Sequence, residues 1–501
     1  MPPTIVWLRN DLRLDDHEPF RRAVAAGGPV LPLFCFDPRQ FDVAPSGIPR
    51  YSARRARFLL EGLADLRDDL RERGGDLLVL PGRPEAVIPR LVRETGALDV
   101  HVHVEVASEE TRVEAAVAAA IAPLGARLRG AWGHTLYHSD DLPFGLRALP
   151  ETFSAFRREV ERRSAVRPPV DAPARLPFPA GVSVPALPSL ASLGFAEPTD
   201  DARALLSPRG GSIEAESRLD DYVFERDRLR VYKETRNGML AVDDSSKLSP
   251  WLAQGSLSPR RVWEAVRAYE DERVANESTE WLIVELLWRD YFRFVAASCG
   301  DALFHAGGVQ RLRYPWRDLD DAAARADFAR WCDGTTGFPL VDAAMRELQA
   351  TGFTSNRARQ NVASFLTKNL GIDWRRGAEW FEGLLLDYDV GSNWGNWMYN
   401  AGVGHDARGF RFFNLHKQAS MYDQAGDFVR HWLPELRRLP GELVHRPELL
   451  TAEQQARYGV RIGEDYPAPM VDLFVSARRN EEAYRRAQGW TPRELSARRG
   501  H

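Results

Sequence analysis

Five short apolar runs separated by helical patterns constrain the fold of the first 135 residues. Between the second and third runs, residues 52–74 place apolar side chains at three- and four-residue steps, which predicts an amphipathic helix. Strands that alternate with helices are typical of βαβ units, because parallel strands need a crossover connection. The sequence therefore predicts a doubly wound parallel sheet, with ligands beyond the carboxyl ends of its strands. The predicted strands are residues 4–9, 30–36, 76–82, 99–104 and 127–132.

The rest of the chain divides where its composition changes. Residues 164–210 hold nine of the 33 prolines and show little periodicity, which indicates a connector laid over the surface. From about 211 to 440 the pattern is helical, with Pro, Gly and Asn at the breaks. We therefore predict an α/β domain over 1–135, a proline-rich connector over 136–210, an α-helical domain over 211–440 and a C-terminal tail over 441–501.

Composition argues against several classes of protein. The net charge is −4, so any polyanion must bind a local basic patch. No GxGxxG or GxxxxGK[ST] motif follows a predicted strand, which argues against a standard dinucleotide or P-loop site. Cys35, Cys299 and Cys332 lack metal-type spacing, so we expect reduced thiols and no metal site. Because the sequence shows no signal peptide and no apolar run of membrane-spanning length, we expect a cytoplasmic protein.

The stretch DDSSKLSP, residues 243–250, is the first candidate binding site. Ser245, Ser246 and Ser249 bracket Lys247, and a proline follows where a helix would begin. Hydroxyls, a cation and the free N–H groups of a helix start suit phosphate oxygens. The alternative is a helix N-cap beside a solvated lysine.

The stretch WLIVELLWRDYFRFV, residues 281–295, puts a carboxylate between two indoles. Helical spacing places Trp281, Glu285 and Trp288 on one face, with Arg289 beside them. A carboxylate there is costly to bury unless it meets hydrogen-bond donors such as a base edge. In the alternative, the helix is amphipathic and Glu285 pairs with Arg289.

Residues 351–381 carry an excess of positive charge on an acidic protein. Asn356 and Arg359 are three residues apart, hence on one helical face, and Trp374 and Trp380 are interleaved with arginines. Basic and aromatic side chains together suit stacked, negatively charged ligands. The alternative is a solvated charged face.

Residues 384–402, LLLDYDVGSNWGNWMYNAG, crowd carboxylates, carboxamides and indoles together. Asp387 and Asp389 accept N–H donors or pair with an arginine, and Asn393 both donates and accepts. Helix capping by Asp389 and core packing of the indoles are the alternative explanations. Capping does not explain why so many such groups occur in one stretch.

Taken together, these motifs resemble the photolyase/cryptochrome flavoproteins over nearly the whole chain. Within that family, YKETRNG, RVANESTEWL, LFHAGGVQ and DPRQF are most similar to the cryptochrome-DASH branch. The resemblance implies an α/β N-terminal domain and a mostly α-helical FAD-binding domain. It is carried by WLRNDLRLDDHEPF (7–20), FCFDPRQF (34–41), TLYHSDDLPF (135–144), VYKETRNGM (231–239), TGFPLVDAAMREL (336–348) and WLPELRRLP (432–440).

The resemblance implies particular residues for FAD and for its reduction. Arg359 and Asp387 would form an ion pair beside the isoalloxazine, and Asn393 would face the reactive flavin nitrogen. Trp397, Trp374 and Trp316 would pass electrons to the flavin from the surface. The residues implied to bind the cofactor are Tyr232, Ser245, Ser246, Lys247, Leu248, Ser249, Glu285, Arg359, Asp387, Tyr388, Asp389 and Asn393.

The resemblance also implies light-driven repair of cyclobutane pyrimidine dimers in DNA. Glu285 and Asn356 would hydrogen-bond the flipped bases. Tyr399 stands where conventional dimer photolyases have tryptophan, as is typical of the DASH branch. Its smaller stacking area favours repair of single strands, because less energy offsets extrusion from a duplex. The residues implied to contact DNA are Arg236, Trp288, Arg289, Asn356 and Tyr399.

An antenna and a second function complete the expectations. DASH relatives often carry 5,10-methenyltetrahydrofolate between the domains, with Glu105 and Glu109 as candidate contacts here. Alternatively, Glu109 simply lies in the first turn of a helix, where the helix dipole favours an acidic residue.

A blue-light photoreceptor with little or no repair activity would use the same flavin and tryptophans. Glu285, Trp288 and Asn356 favour the enzyme, because a receptor needs no lesion pocket. We expect a monomer.

Overall fold

The computed structural model describes residues 1–405 and 409–490. Five parallel strands form one sheet in the order β3-β2-β1-β4-β5. The strands are β1 Thr4–Leu8, β2 Val30–Phe36, β3 Leu78–Pro81, β4 Asp99–His103 and β5 Arg127–Ala131. Each strand lies within one of the predicted runs, so the predicted parallel sheet is confirmed.

Helices cover both faces of the sheet, as a doubly wound fold requires. They are α1 Glu18–Ala25, α2 Ala53–Glu72, α3 Pro84–Thr95 and α4 Ser108–Ile121. Alternate side chains of β1 point to opposite faces, so Ile5 and Trp7 pack with α3 and α4, while Val6 and Leu8 pack with α1 and α2. The α2 helix confirms the helix predicted over 52–74.

The segment after β5 carries one long helix and then an irregular chain. The helix is α5, Phe153–Arg163, and a single turn at Ala191–Leu193 follows. The backbone of the irregular part is tied to the α/β domain, because the Leu176 N–H donates to the Arg73 carbonyl at 2.9 Å. The proline-rich stretch thus lies against the α/β domain, while the domain boundaries stay predictions.

The rest of the chain is helical. A long helix, α10 Glu277–Cys299, packs against α15 Val390–Ala401. The remaining helices to residue 440 are α6 Ser212–Asp220, α7 Tyr232–Thr235, α8 Ser249–Gln254, α9 Pro259–Glu272, α11 Ala322–Cys332, α12 Pro339–Thr351, α13 Asn356–Ser364, α14 Trp374–Leu384, α16 Leu415–Tyr422 and α17 Asp427–Trp432. Among the described helices, none combines the length and the apolar character that a membrane span requires.

Two glycines let α15 approach its neighbours closely. A Cβ at Gly395 would lie 2.5 Å from the ring of Phe292 in α10. A Cβ at Gly377 in α14 would lie 2.2 Å from the ring of Trp397. Aromatic rings therefore fill the space that the missing Cβ leaves at both glycines, a phenyl ring at Gly395 and an indole at Gly377.

Residues 441–490 differ from the predicted tail, because they pack onto the helical domain. They form α18 Ala452–Tyr458 and α19 Leu473–Ala487. The Tyr466 hydroxyl lies 2.6 Å from Asp342, and the Tyr484 hydroxyl donates to the carbonyl of Gly402 at 2.6 Å. The Arg/Glu-rich composition concealed this packing, since α19 buries only one face. The part of the predicted tail after residue 490 lies outside the described residues.

Buried charges join the two domains at the carboxyl ends of β1 and β4. Arg260 Nε donates to Asp16 at 2.9 Å across the interface. Asp11, His17 and His103 are residue types that often bind metals, but hydrogen bonds account for their proximity. His17 Nε2 and His103 Nδ1 each lie 2.9 Å from Asp11 Oδ2. The loops that follow adjacent strands thus contact the helical domain at the place where the strand order reverses.

Candidate functional site

Asp389 caps the helix that carries the candidate site. Its side chain accepts the N–H of Ser392 at 2.7 Å and so begins α15. The same carboxylate lies 3.2 Å from Arg293 Nη1. Burial alone would raise the pKa of Asp389, but the charges of Arg293 and Arg289 hold it below its usual range. Capping therefore explains Asp389 in part, and a buried ion pair explains the rest.

Asp387 has different partners, inside the helical domain. Its Oδ2 lies 2.8 Å from Arg359 Nη2, as the family resemblance implies. The hydroxyl of Ser249 donates to the same oxygen at 2.7 Å. The structure thus brings three separately predicted stretches together at one carboxylate.

Arg218 holds the serine–lysine stretch through its carbonyls. Its Nε donates to the carbonyl of Ser246 at 3.0 Å, and its Nη2 lies 3.5 Å from the carbonyl of Ser245. In a trans peptide the N–H points opposite to the C=O, so the N–H groups of Ser246 and Lys247 point away from Arg218. Leu248 then leads directly into α8. These N–H groups suit an anion at the start of a helix.

Lys247 turns inward, so the solvated-lysine alternative is wrong. Its ammonium lies 5.1 Å from the centre of the Phe353 ring. Burial lowers the pKa of Lys247, and the charges of Glu347 and Asp244 oppose that shift. Its φ of +58° is uncommon for a residue other than glycine and indicates a constrained backbone.

Several buried donors beside Tyr232 lack protein partners. In the part of the chain that the structure describes, the Tyr222 hydroxyl and the Nε atoms of Arg228 and Arg236 have none. The Tyr222 and Tyr232 rings pack edge to face with centroids 6.4 Å apart. Buried donors are costly unless acceptor oxygens satisfy them. Together with the serine N–H groups, they fit a ligand that contains a diphosphate, such as FAD.

Glu285 pairs with Arg236 rather than with Arg289. Burial raises the pKa of Glu285, and the charge of Arg236 opposes that shift. Arg289 instead donates to the carbonyls of His134 and Leu252, the latter at 2.9 Å. Because these bonds hold its guanidinium inside the protein, the expectation that Arg289 holds a DNA phosphate needs correction.

Trp288 and Tyr399 form an aromatic wall. Their rings meet at 73° with centroids 5.8 Å apart. Phe153 stacks on Trp288 at 3.7 Å and fixes its orientation. Asn356 is exposed at the first position of α13. Beside it, Arg357 Nη2 donates to Asn237 at 2.9 Å, so the basic stretch adjoins the Arg236 loop.

The structure brings two of the three expected electron-transfer tryptophans together. The indole N–H groups of Trp374 and Trp316 donate to one carbonyl, that of Ala306, at 3.0 and 3.1 Å. Trp397 is buried against Gly377, which lies one turn along α14 from Trp374, and its ring neighbours are Phe381 at 5.1 Å and Trp331 at 6.1 Å.

Asn393 lies on α15 between the capping aspartate and Trp397. It is buried, and its Nδ2 donates to the carbonyl of Ala378 at 3.0 Å. That bond fixes the carboxamide so that its oxygen points away from α14. Asn393 therefore keeps an oriented acceptor inside the helical domain.

A cavity of about 650 Å³ lies between the two domains. Glu109 lines it and lies 2.6 Å from Arg50. Glu110 lines it too, and burial raises the pKa of Glu110 to about 7. The volume is that of a site for a drug-sized ligand. Its lining includes five arginines, namely Arg9, Arg39, Arg50, Arg55 and Arg112.

Glu105 and Tyr388 occupy places other than those expected. Glu105 is outside the cavity lining and is buried against Arg293, with Asn10 donating to it at 3.1 Å. It therefore joins the domains and is not an antenna contact. Tyr388 lines the interdomain cavity, where Arg55 lies 4.9 Å from its ring, so it faces away from Asp387 and its ion pair.

Comparisons with known proteins agree with this arrangement. Residues 4–177 match the DNA photolyase family model, and residues 281–486 match the model described as the FAD binding domain of DNA photolyase. The chain belongs to the photolyase/cryptochrome family. Its cryptochrome-DASH relatives include one from Gloeobacter violaceus, 56% identical over 96% of each chain, and one from Synechocystis, 49% identical over 96% of this chain and 98% of the relative. The expected family and branch are therefore confirmed, and FAD is the cofactor of the matched domain.

Solved structures of this family share the whole fold. The crystal structure of the Synechocystis cryptochrome has a TM-score of 0.93 at 47% identity and covers 96% of this chain and 99% of its own. A bacterial class III photolyase from Agrobacterium tumefaciens has a TM-score of 0.84 at 30% identity, with 98% of each chain covered. The predicted fold class is confirmed by both.

Four residues near these sites escaped the sequence interpretation. Arg218 and Arg293 supply buried cations, and Phe153 supports the aromatic wall. Trp394 is in ring contact with Trp374 at 5.8 Å. The spacing WxxW of residues 394–397 was a visible signal for the last of these, whereas nothing in the local sequence marks the other three.

Proposed function

We propose that this protein repairs cyclobutane pyrimidine dimers under blue light, preferentially in single-stranded DNA. Photoexcited reduced FAD would supply the electron, and the chain supplies binding, orientation and a dry pocket. The observation that supports this is the aromatic wall of Trp288 and Tyr399 beside the Glu285 carboxylate, in a member of the photolyase family.

The Glu285–Arg236 pair is suited to hold flipped bases. A carboxyl group with a raised pKa shares a proton readily, so Glu285 can donate to a base carbonyl or accept from a base N–H. Arg236 balances its charge. Asn356, exposed at the start of α13, offers a donor and an acceptor to the second base.

Phosphate contacts fall to Arg236 and to the basic stretch around Arg357, because Arg289 is engaged inside the protein. These contacts position the strand without reading its sequence. The wall contains tyrosine at position 399, so it offers less stacking area than two indoles would. Weaker stacking on the lesion offsets less of the free energy needed to flip it out of the DNA. That free energy is larger for a base-paired lesion, so repair of duplex DNA is disfavoured more than repair of single strands.

We also propose that the interdomain cavity holds an antenna, 5,10-methenyltetrahydrofolate, with Glu109 as a contact. Its arginines suit the carboxylates of a folate tail, and its 650 Å³ suits a ligand of that size. The archaeal photolyase from Sulfolobus tokodaii was solved with two FAD molecules. An absorption spectrum of the purified protein distinguishes folate from a second flavin.

Illumination of the reduced, FAD-loaded protein with dimer-containing oligonucleotides tests the repair proposal. We expect fast repair of the single strand and slow repair of the duplex. Trp288→Ala should lower repair about tenfold or more, because base–aromatic stacking contributes about 1–3 kcal/mol per base. Trp263→Ala, on helix α9 outside the aromatic wall, is the matched control.

Tyr399→Trp should narrow the gap between the two substrates. Equal rates for wild-type protein on single-stranded and duplex DNA would contradict the strand preference. The absence of repair on both substrates, in protein that retains FAD, would contradict the enzymatic proposal.

A blue-light receptor is the second candidate. The contact that favours it is the hydrogen bond from Tyr484 in α19 to the carbonyl of Gly402, at the end of the helix that carries Asn393. This contact couples the site to the C-terminal region. Light-dependent protection of α19 from proteolysis, changed by Tyr484→Phe, would support this role. We further propose a monomer in the cytoplasm, although plant relatives are named chloroplastic/mitochondrial.

A further inference from the structure

Trp394 lies against Trp374, the middle member of the expected electron chain. Their centroids are 5.8 Å apart and their planes are at 79°. Trp394 is buried and packs edge to face with Phe304 at 4.8 Å. Two indoles in ring contact exchange an electron readily, so Trp394 is as well placed to reduce an oxidised Trp374 as the more exposed Trp316.

The indole N–H of Trp394 donates to a carboxylate. Its Nε1 lies 3.2 Å from Glu382 Oε2 and 3.3 Å from the Tyr388 hydroxyl. Glu382 is buried in the wall of the interdomain cavity, where it also lies 3.1 Å from Arg50. A negative charge on the ring N–H stabilises the oxidised indole, because the hydrogen bond becomes charge-assisted at both ends.

The other two tryptophans have a neutral acceptor instead. Trp374 and Trp316 both donate to the carbonyl of Ala306. An indole radical cation is a much stronger acid than the neutral indole. A backbone carbonyl does not accept that proton, whereas a carboxylate does. Because of this difference in acceptor, an oxidised Trp374 keeps its proton and passes the oxidation on. An oxidised Trp394 loses its proton to the carboxylate and remains as a radical.

We propose that Trp394 and Glu382 form a second terminus for flavin photoreduction, reached from Trp374 and parallel to Trp316. One electron passes from Trp394 to the Trp374 radical cation, which returns to the neutral indole. The Nε1 proton of Trp394 moves to Glu382 Oε2, which leaves a neutral indolyl radical and a protonated carboxyl group. The proposal rests on the proposed function, because light-driven electron transfer to the oxidised flavin generates the Trp374 radical cation.

Time-resolved absorption after a blue flash, on FAD-loaded protein, tests this terminus. Trp316→Phe combined with Tyr314→Phe removes the other exit, since Tyr314 lies 4.3 Å from Trp316. We expect this variant to retain a long-lived neutral indolyl radical that forms more slowly in D₂O. Addition of Trp394→Phe should abolish that radical.

Glu382→Gln is the matched substitution, because it keeps the shape and an acceptor but not the charge or the basicity. In the variant without the other exit, it should give a cation radical instead of a neutral one. Its lifetime should be about tenfold shorter, the factor that the loss of a charge-assisted hydrogen bond brings.

The proposal is overturned if Trp394→Phe changes neither the radical yield nor its lifetime once the other exit is removed. It is also overturned if the radical forms equally fast in H₂O and D₂O. Trp374→Phe should block both termini. If the wild-type protein with bound FAD shows no photoreduction at all, both this proposal and the photoreduction in the proposed function fail. If the variant without the other exit forms the same radical after Trp394 is also replaced, only this proposal fails.

Discussion

Asp387 and Asp389 are two residues apart, yet they belong to two different regions of the molecule. Asp387 pairs with Arg359, whose side chain is 24% exposed, inside the helical domain. Asp389 pairs with Arg293, whose side chain is 3% exposed and also contacts Glu105 of the α/β domain. The first pair leaves part of the Arg359 side chain accessible. The second is a fixed link between domains, so the two pairs should respond differently to substitution.

The largest effect is expected for Arg293→Met. It leaves Glu105 buried without its arginine and Asp389 with only the more distant charge of Arg289, which costs about 3–5 kcal/mol in the free energy of unfolding. Urea unfolding followed by fluorescence measures this loss. Glu105→Gln, which keeps the shape and leaves Arg293 with Asp389, should cost less. A loss below about 1 kcal/mol for Arg293→Met would show that the link does not hold the domains together.

A smaller effect on stability and a clear effect on FAD are expected for Arg359→Ala. The pair is partly exposed, so its loss should lower the free energy of unfolding by only about 1 kcal/mol. FAD affinity, measured by flavin fluorescence, should fall about tenfold, or about 1.4 kcal/mol. Arg357→Ala on the same helix is the control, because Arg357 bonds Asn237 instead. Equal FAD affinity in the two variants would place the flavin elsewhere.

The last effect is gradual, a pH dependence at the domain interface. Burial, aided by the charge of His17, lowers the pKa of His103 from its usual 6.5 to about 3. The unfolded chain therefore binds more protons between these values, and stability falls as the pH falls through that window. Asp11, whose pKa its two histidine partners lower despite burial, acts in the same direction.

We expect a loss of up to about 1.4 kcal/mol per pH unit from His103 below pH 6.5. Urea unfolding at pH 7, 6 and 5 measures it. His103→Gln should flatten the dependence, whereas His305→Gln, at an exposed position, should not. If the free energy of unfolding changed equally with pH in all three proteins, the groups at the domain interface would not be the cause of the acid sensitivity.

The sequence predicted the α/β domain well because its signals are local. Each strand of the sheet is a short apolar run, and helix α2 follows three- and four-residue spacing. The C-terminal region was predicted as a tail, whereas α19 buries Leu473 and Ala477 and makes long-range contacts such as that of Asn480 with Lys368 and that of Tyr484 with Gly402. Such contacts link positions far apart in sequence and leave no local pattern.

Residue types near the flavin were predicted with uneven success for the same reason. Arg359 and Asp387 are paired as the motif implies. Arg289 and Glu105 were given surface or antenna roles, but Arg289 is half-buried with its guanidinium on two backbone carbonyls, and Glu105 is buried against Arg293. Charge alone does not tell whether a side chain meets solvent, a ligand or an opposite charge from another domain. Tyr388 illustrates the same limit, because α15 begins just after it and turns it into the cavity.

The sequence by itself determined the fold class, the family and the chemical types at each site, because motifs and periodicity are properties of neighbouring residues. Tertiary structure decided which charge meets which. It placed Asp387 against Arg359 and Asp389 against Arg293, and it gave Trp394 a carboxylate where Trp374 and Trp316 have a carbonyl. Those pairings depend on how α10, α14 and α15 pack, and packing is set by contacts between distant parts of the chain.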